Sequence, residues 1–337
     1  MTGHAAVVGS GVMGADIALS LALGGLTVNL WGRRESGVDE ALTRIRNGAL
    51  GLASEGIVAS AEVTMAVGRI AGTANLATAT AGARFVIEAV SEDLELKREV
   101  LHRVEDVAAI DAILASTTSG LSASSLADGL RDPGRFVVAH YAQPAHLVEV
   151  VEVVPGEHTS ESTVCFVEDL LRSSGKLPIR VADIPGFAWS RIQLAILREL
   201  VSLVQRGAVS VEACDTLMKR GYGSRLPAMG PFEHADLAGI GLTRAVARIV
   251  WPDLANFTVT EGTLIDELWE SGRLGMAAGR GFYDWTANDP TEFKRARDRE
   301  ISNRLKLNRG GQVVFAASST PDDGHRAEFS DHQGANR

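Results

Sequence analysis

One histidine and two glutamates are spaced so that they could share acid–base chemistry. His140 ends an apolar run, and Glu149 and Glu152 lie in the next run, residues 147–154. A carboxylate beside an imidazole holds the ring in one tautomer and makes it a general base. The turn at Gln143-Pro144-Ala145 is too short for a crossover helix, so the two runs should form an antiparallel strand pair. The two glutamates are three residues apart and point to opposite faces of a strand, so spacing alone does not choose between them.

A glycine-rich loop near the start of the chain has the spacing of a dinucleotide-binding motif. Gly9, Gly11 and Gly14 follow an apolar run, His4–Val8, and precede helix-forming residues 15–23. In such a loop the first glycine permits a tight turn, the second lets a pyrophosphate approach the backbone, and the third allows close helix–sheet packing. Free amides at the helix N-terminus then meet the phosphate charge. The alternative is a glycine-rich turn without a ligand, which this strand–loop–helix context disfavours.

The residues after the second apolar run, 26–31, bear on the choice of cofactor. This position normally carries a carboxylate that accepts hydrogen bonds from the ribose hydroxyls of NAD. Here Gly32 is followed by Arg33 and Arg34, and two guanidinium groups suit the extra ribose phosphate of NADP. The sequence therefore favours NADP(H), with NAD(H) possible. The alternative is a solvated loop with two exposed arginines.

The elements that must position these residues alternate between strands and helices. Residues 84–90 and 112–116 have strand character, and residues 94–110 form an amphipathic helical pattern between them. The alternation predicts an α/β Rossmann-type doubly wound sheet with an antiparallel edge pair, followed by an all-α C-terminal domain. The predicted parts are a dinucleotide-binding domain over 1–185, a helical substrate and dimerisation domain over 186–308, and a poorly ordered tail over 309–337. The later predicted helices cover 187–205, 211–219, 232–250, 264–269 and 298–307.

Composition and charge limit what the chain could bind. Its 337 residues predict about two domains, and 45% hydrophobic against 22% charged residues is ordinary globular composition. Thirty-three basic against 42 acidic residues give a net charge of −9, which argues against a nucleic-acid partner. Two cysteines cannot form a disulfide framework or a four-thiolate zinc site, so a cytoplasmic location and no metal are expected. Asp16 and five glycines interrupt the apolar start, which argues against a signal peptide or membrane span.

Several motifs, in order along the chain to about Trp285, resemble those of the 3-hydroxyacyl-CoA dehydrogenase family, which has relatives acting on gulonate and carnitine. The matching segments are the GxGxMG loop at 9–14, VxEAVxEdxxxK at 86–97, ASNTSSLS at 115–122, HFxNPP...LVEVVxGxxT at 140–159, DxPGFxxNR at 183–191, MGPFE at 229–233 and GxGFYxY at 279–285. So many collinear motifs are highly specific.

The resemblance implies a role for each matching residue. His140 would be the general base, and Glu152, at the family's twelve-residue spacing, would orient and polarise it. Ser119 would hydrogen-bond the reacting oxygen, while Glu92 and Lys97 would lie near the nicotinamide ribose. Without the resemblance, Ser119 would be interpreted as a helix cap, and Glu92 with Lys97 as a solvated charge pair. Family members usually dimerise through the helical domain, so a homodimer is expected.

Three positions depart from the family pattern where it has asparagine. They are Thr117, Gln143 and Ser190, and we expect them to change the substrate pocket. In family members that act on CoA thioesters, the segment 42–57 presents basic residues to the CoA phosphates, and here it contains only Arg44 and Arg46.

The resemblance therefore implies an NAD(P)-dependent enzyme that interconverts a 3-hydroxyacyl and a 3-oxoacyl type substrate, with a specialised, non-fatty-acid substrate. That substrate could be a small molecule or a thioester carried on CoA or a carrier protein. Two alternatives remain open. One is a dehydrogenase of a free 3-hydroxy acid, of the gulonate or carnitine type. The other is a non-catalytic dinucleotide-binding protein of the same fold.

Overall fold

The computed structural model describes residues 3–287 and 289–309. The predicted tail beyond residue 309 lies outside the described residues. Within the described residues, no helix combines the length and apolar character that crossing a membrane requires.

In the described part of the chain, eight strands form a single sheet in the order β3-β2-β1-β4-β5-β6-β7-β8. They are β1 (His4–Val8), β2 (Thr27–Trp31), β3 (Ile70–Thr73), β4 (Phe85–Glu88), β5 (Ile113–Ser116), β6 (Phe136–Tyr141), β7 (Val150–Pro155) and β8 (Leu177–Arg180). All neighbours run parallel except β6 and β7. The predicted doubly wound sheet with one antiparallel pair is confirmed. The unpredicted β8 pairs with β7, so β7 is not the edge strand.

Within residues 3–186, seven α-helices accompany the strands and cover both faces of the sheet. They are α1 (Val12–Leu23), α2 (Glu35–Ser54), α3 (Ser60–Gly68), α4 (Leu76–Thr80), α5 (Leu94–Val107), α6 (Ala123–Ala127) and α7 (Glu161–Ser173). One buried cluster joins the sheet to α1, α2, α3 and α7, and the other joins it to α4, α5 and α6. Val7 belongs to the first cluster and Val8 to the second, as the two-residue period of a strand requires.

Among the described residues after Gly186, the regular structure is helical, apart from short bridges over 275–284. Its helices are α8 (Trp189–Gln205), α9 (Val211–Thr216), α10 (Gly223–Arg225), α11 (Pro231–Ala238), α12 (Ile240–Val250), α13 (Leu264–Glu270) and α14 (Pro290–Arg309). The single helix predicted over 232–250 is wrong, because Gly239 has a φ of 90° and separates α11 from α12. The helix predicted over 298–307 starts earlier, where Asp289 accepts a hydrogen bond from the amide of Thr291 and a proline, favoured in a first turn, follows.

Candidate active site

The carboxyl ends of the parallel strands bring the predicted site residues to one edge of the sheet. β1 ends at the glycine loop, β4 at Glu88 and β5 at Ser116. β6 runs parallel to β5, so His140 near its end lies at the same edge. Ligands of doubly wound sheets bind at this edge.

The glycine loop has the close packing that a dinucleotide site needs. Gly9 has a φ of 139°, and a side chain there would collide with the carbonyl of Ala89. A side chain at Gly14 would collide with the carbonyl of Gly9, whereas Gly11 faces open space. Gly11 is the N-cap of α1, whose first turn carries no acidic residue. The loop therefore leaves room and free amides for a pyrophosphate.

Arg33 and Arg34 follow β2 and are both exposed. Neither side chain has a hydrogen-bond or ion-pair partner among the described residues. A Cβ at the buried Gly32 would come within 2.6 Å of Ser10 Oγ and 2.8 Å of Val38 Cγ2. An acidic side chain at position 32 would therefore require its neighbours to move.

His140 and Glu152 are direct partners in the register of β6 and β7. The His140 Nδ1 atom is 2.7 Å from Glu152 Oε2, and the two residues are only 5% and 3% exposed. A carboxylate beside Nδ1 favours the tautomer with its proton on Nδ1, which leaves Nε2 to accept a proton. Glu149 precedes β7 and has no register partner in β6.

Glu152 also connects this pair to the start of the helical part of the chain. Its Oε1 accepts hydrogen bonds from the amides of Ala188 at 2.9 Å and Trp189 at 2.8 Å. The buried ring of Phe187 lies 5.7 Å from the His140 ring, measured between centroids. Both oxygens of the carboxylate are thus engaged, which fixes its orientation and that of the imidazole.

A second polar cluster holds the loop after β5. Glu92 Oε1 accepts hydrogen bonds from the Thr118 hydroxyl and the Ser119 amide, and Glu92 Oε2 lies 3.3 Å from Lys97 Nζ. Partial burial acts to raise the pKa of Glu92, but these hydrogen bonds and the Lys97 charge outweigh it, so the pKa lies below its usual value. The alternative of a solvated pair is wrong, because Lys97 is only 1% exposed.

Lys97 has further partners inside the protein. Its Nζ lies 2.9 Å from Glu88 Oε1 and donates to the carbonyl of Val90 at 3.2 Å, and the Ser116 hydroxyl donates to Glu88 Oε2 at 2.6 Å. Burial raises the pKa of Glu88 against the opposing effect of Lys97. Sequence reasoning missed Glu88 and Ser116. The available signal was an acidic residue at the end of an apolar strand.

The remaining predicted site residues take different positions around this edge; they are Ser119, Ser190, Thr117 and Gln143. Ser119 is exposed, and its carbonyl accepts a hydrogen bond from the Ser190 hydroxyl at 2.8 Å. It is not the cap of α6, because Ser122 has that role. Thr117 is buried and its hydroxyl accepts from the Tyr141 amide. The side chain of Gln143 is exposed on the loop after β6.

The fold and the residues at its carboxyl edge define a dinucleotide-binding class of protein. Residues 4–184 match the sequence model of the 3-hydroxyacyl-CoA dehydrogenase NAD binding domain, and residues 186–285 match that of the C-terminal domain. The chain belongs to the 3-hydroxyacyl-CoA dehydrogenase family, whose members related to it are NAD-dependent oxidoreductases acting on CH–OH groups.

Three relatives illustrate the range of this similarity. The chain is 31% identical over 302 residues to 5-formyl-3-hydroxy-2-methylpyridine 4-carboxylate 5-dehydrogenase of Mesorhizobium japonicum, covering 89% of this chain and 96% of the relative. A solved structure of an enzyme of that name, an NAD+-dependent dismutase, superposes with a TM-score of 0.85 at 30% identity, over 92% of this chain and 99% of the other. (S)-3-Hydroxybutyryl-CoA dehydrogenase of Ralstonia eutropha superposes with a TM-score of 0.67 at 29% identity, over 84% of this chain and 99% of the other.

Within the described residues, no group of three or more His, Cys, Asp or Glu side chains could hold a metal ion. The polar groups at the carboxyl edge instead suit an organic cofactor, because the glycine loop offers backbone amides and open space.

Proposed function

We propose that this protein is an NAD(P)-dependent oxidoreductase that interconverts a 3-hydroxyacyl and a 3-oxoacyl type group on a specialised, non-fatty-acid substrate. The observation that carries the proposal is the buried contact of 2.7 Å between His140 Nδ1 and Glu152 Oε2 at the carboxyl edge of the sheet. In the oxidation, His140 Nε2 takes the proton of the substrate hydroxyl as the C–H bond releases a hydride. A bound nicotinamide cofactor supplies the hydride acceptor.

The loop after β5 supports the same chemistry. Ser119 would donate a hydrogen bond to the reacting oxygen, and its amide contact with Glu92 fixes the loop. Glu92, half-exposed beside this loop, would face the nicotinamide ribose. Lys97 is buried behind Glu92, so its part is that of a positioning residue. The proposed substrate-binding residues are Thr117 in this loop, Gln143 in the loop after β6 and Ser190 at the start of α8.

We propose NADP(H) as the favoured cofactor, with NAD(H) as a possible substitute. Two exposed guanidinium groups without protein partners follow β2, and packing excludes an acidic side chain at Gly32 without rearrangement. Charge-assisted hydrogen bonds from Arg33 and Arg34 to a ribose phosphate would favour the phosphorylated cofactor.

The proposed assembly is a cytoplasmic homodimer, with a dinucleotide-binding domain over 1–185 and a helical domain over 186–308. Support for the dimer comes from large apolar side chains exposed in the helical part. Phe232 is 89% exposed, and Ile192 and Ile249 are also exposed. Exposed apolar surface of this kind marks interaction sites.

The substrate is proposed to be a small molecule or a thioester, and the similarity to a pyridine carboxylate dehydrogenase favours a free acid. The test is oxidation or reduction of the cofactor, followed by nicotinamide absorbance, with a panel of 3-hydroxy and 3-oxo acids, their CoA thioesters and 5-formyl-3-hydroxy-2-methylpyridine 4-carboxylate. Turnover of a panel member that depends on His140 supports the proposal. Tight dinucleotide binding without turnover of any member would favour the non-catalytic alternative.

A further inference from the structure

A cavity of about 690 Å³ lies between helices α1 and α2, which pack against the sheet, and α14. α1 contributes Val12 and Asp16 to its wall, and the loop after β6 contributes Gln143 and His146. Val12 belongs to the glycine loop and Gln143 to the loop that follows His140, so two wall residues come from loops at the carboxyl edge of the sheet. Its volume is within the range of small-molecule sites.

The cavity is lined by more cations than carboxylates. Five basic side chains and three carboxylates face it, a surplus of two positive charges in a chain whose net charge is −9. The basic residues are Arg44, Lys294, Arg295, Arg297 and Arg299, and the acidic residues are Asp16, Glu55 and Asp298. The location therefore differs in charge from the molecule as a whole, and it suits an anion.

Each acidic side chain of the wall has a basic or imidazole nitrogen nearby, and for Asp16 that nitrogen, His146 Nδ1, makes no hydrogen bond within the described part of the chain. Asp16 Oδ1 lies 3.2 Å from His146 Nδ1, Glu55 pairs with Arg299 at 3.4 Å, and Asp298 pairs with Arg297 at 2.7 Å.

Three of the cations have no such partner. Among the described residues, the side chains of Arg44, Lys294 and Arg295 make no ion pair or hydrogen bond, and Arg44 is half-buried. The charge of Arg295 already acts on Asp289, whose pKa is lowered by the hydrogen bond from the Thr291 amide and, in addition, by this charge. Arg44 and Lys294 are therefore the two charges most available to a ligand.

α14 forms one wall and lies beyond the region that matches the family models, which ends at residue 285. Ser302 and Leu305 are buried, and Ile301 packs against the cluster that contains α1 and α2. The ion pair of Arg299 with Glu55 joins α14 to α2. A long carrier such as CoA, bound along the segment 42–57 of α2, would have to separate α14 from α2.

We propose that this cavity binds the carboxylate of a small free-acid substrate through Arg44 and Lys294, with Arg295 nearby. The assignment rests on the proposed function and adds to it the residues that would select a free acid. A substrate whose carboxylate is bound here would have its reacting carbon extend past the loop after β6 toward His140. In this chain α14 would thus help to recognise a compact anion, whereas in family members that act on CoA thioesters the segment 42–57 presents basic residues to the CoA phosphates.

The test compares ligands that differ in charge, with the full-length protein saturated with oxidised cofactor. The probes are acetoacetate, its neutral methyl ester and acetoacetyl-CoA, and a 3-oxo compound does not react with an oxidised cofactor. Calorimetry measures the Kd of each probe for the wild type, for Arg44→Gln, for Lys294→Gln and for the double variant. Arg46→Gln on α2 and Lys306→Gln on α14 are matched controls, because neither residue lines the cavity.

The double variant should raise the Kd of acetoacetate by about tenfold or more, since each lost contact is charge-assisted, and leave that of the methyl ester and of the cofactor unchanged. Both control variants should behave as the wild type does. An equal loss for acid and ester, an unchanged Kd for acetoacetate, or no binding of acetoacetate to the wild type would overturn the proposal. So would a loss confined to acetoacetyl-CoA, which would assign these cations to its phosphates. Binding needs no turnover, so failure of this assignment is distinguishable from failure of the proposed chemistry.

Discussion

Exchange of Glu152 for glutamine tests whether the carboxylate orients His140. Glu152→Gln keeps the size of the side chain, and its Oε1 can still accept the amides of Ala188 and Trp189 at 2.9 and 2.8 Å. Its amide nitrogen would then face His140 Nδ1 and donate to it. Nδ1 would have to accept, so the ring proton would move to Nε2, where the proposed base needs a lone pair.

The expected loss is that of a general base, about 10²-fold to 10⁴-fold in kcat. The assay is steady-state nicotinamide absorbance with any substrate found in the panel, together with the Kd of the cofactor, which should not change. Glu149→Gln is the matched control, because Glu149 lies three residues away and outside β7; its kcat should stay near that of the wild type. Equal kcat values for the two variants would refute the reasoning about the tautomer.

Three further predictions concern the cofactor, the carrier and the buried charges. The wild type should bind NADP(H) about tenfold or more tighter than NAD(H), since each charge-assisted bond contributes ~1.5–3 kcal/mol. In calorimetry, the double variant Arg33→Ala with Arg34→Ala should lose the NADP(H) advantage, and the control Arg103→Ala should keep it. Tighter binding of NAD(H) than of NADP(H) by the wild type would contradict the prediction. Acetoacetyl-CoA should be a poor substrate, and a kcat/KM of about 10⁶ M⁻¹s⁻¹ or more, in the range of efficient enzymes, would contradict that. Lys97→Met should lower the free energy of unfolding by about 3–5 kcal/mol in urea titrations at neutral pH, because Glu88 keeps an uncompensated buried charge. The loss should be smaller at lower pH, where Glu88 is protonated, and in the double variant with Glu88→Gln. A single variant as stable as the wild type would contradict the prediction.

Local pattern was enough to predict the glycine loop and the antiparallel pair. The loop stands between an apolar run and a helical run, and the turn after His140 is too short for any other connection. The same pattern could not choose between Glu149 and Glu152, because the register depends on where β7 begins. In the structure β7 begins at Val150, after a loop that the sequence does not define.

Long-range packing explains what the sequence could not show. Lys97 lies on a helix with many charged residues and would ordinarily be solvated, and only the fold brings it to Glu88 and Ser116. β8 was missed because it is short, contains Pro178 and has exposed apolar side chains, so it lacks the alternation of a half-buried strand. The cavity beside α14 requires residues far apart in the chain to meet, which no spacing predicts.

The most direct test of the proposed mechanism is the turnover of His140→Ala with the true substrate. Removal of the imidazole should lower kcat by about 100-fold or more, the range for losing a general base. The Kd of the cofactor should stay nearly unchanged, since the glycine loop and the arginines after β2 are intact. A kcat close to that of the wild type, measured with the same substrate, would contradict the account.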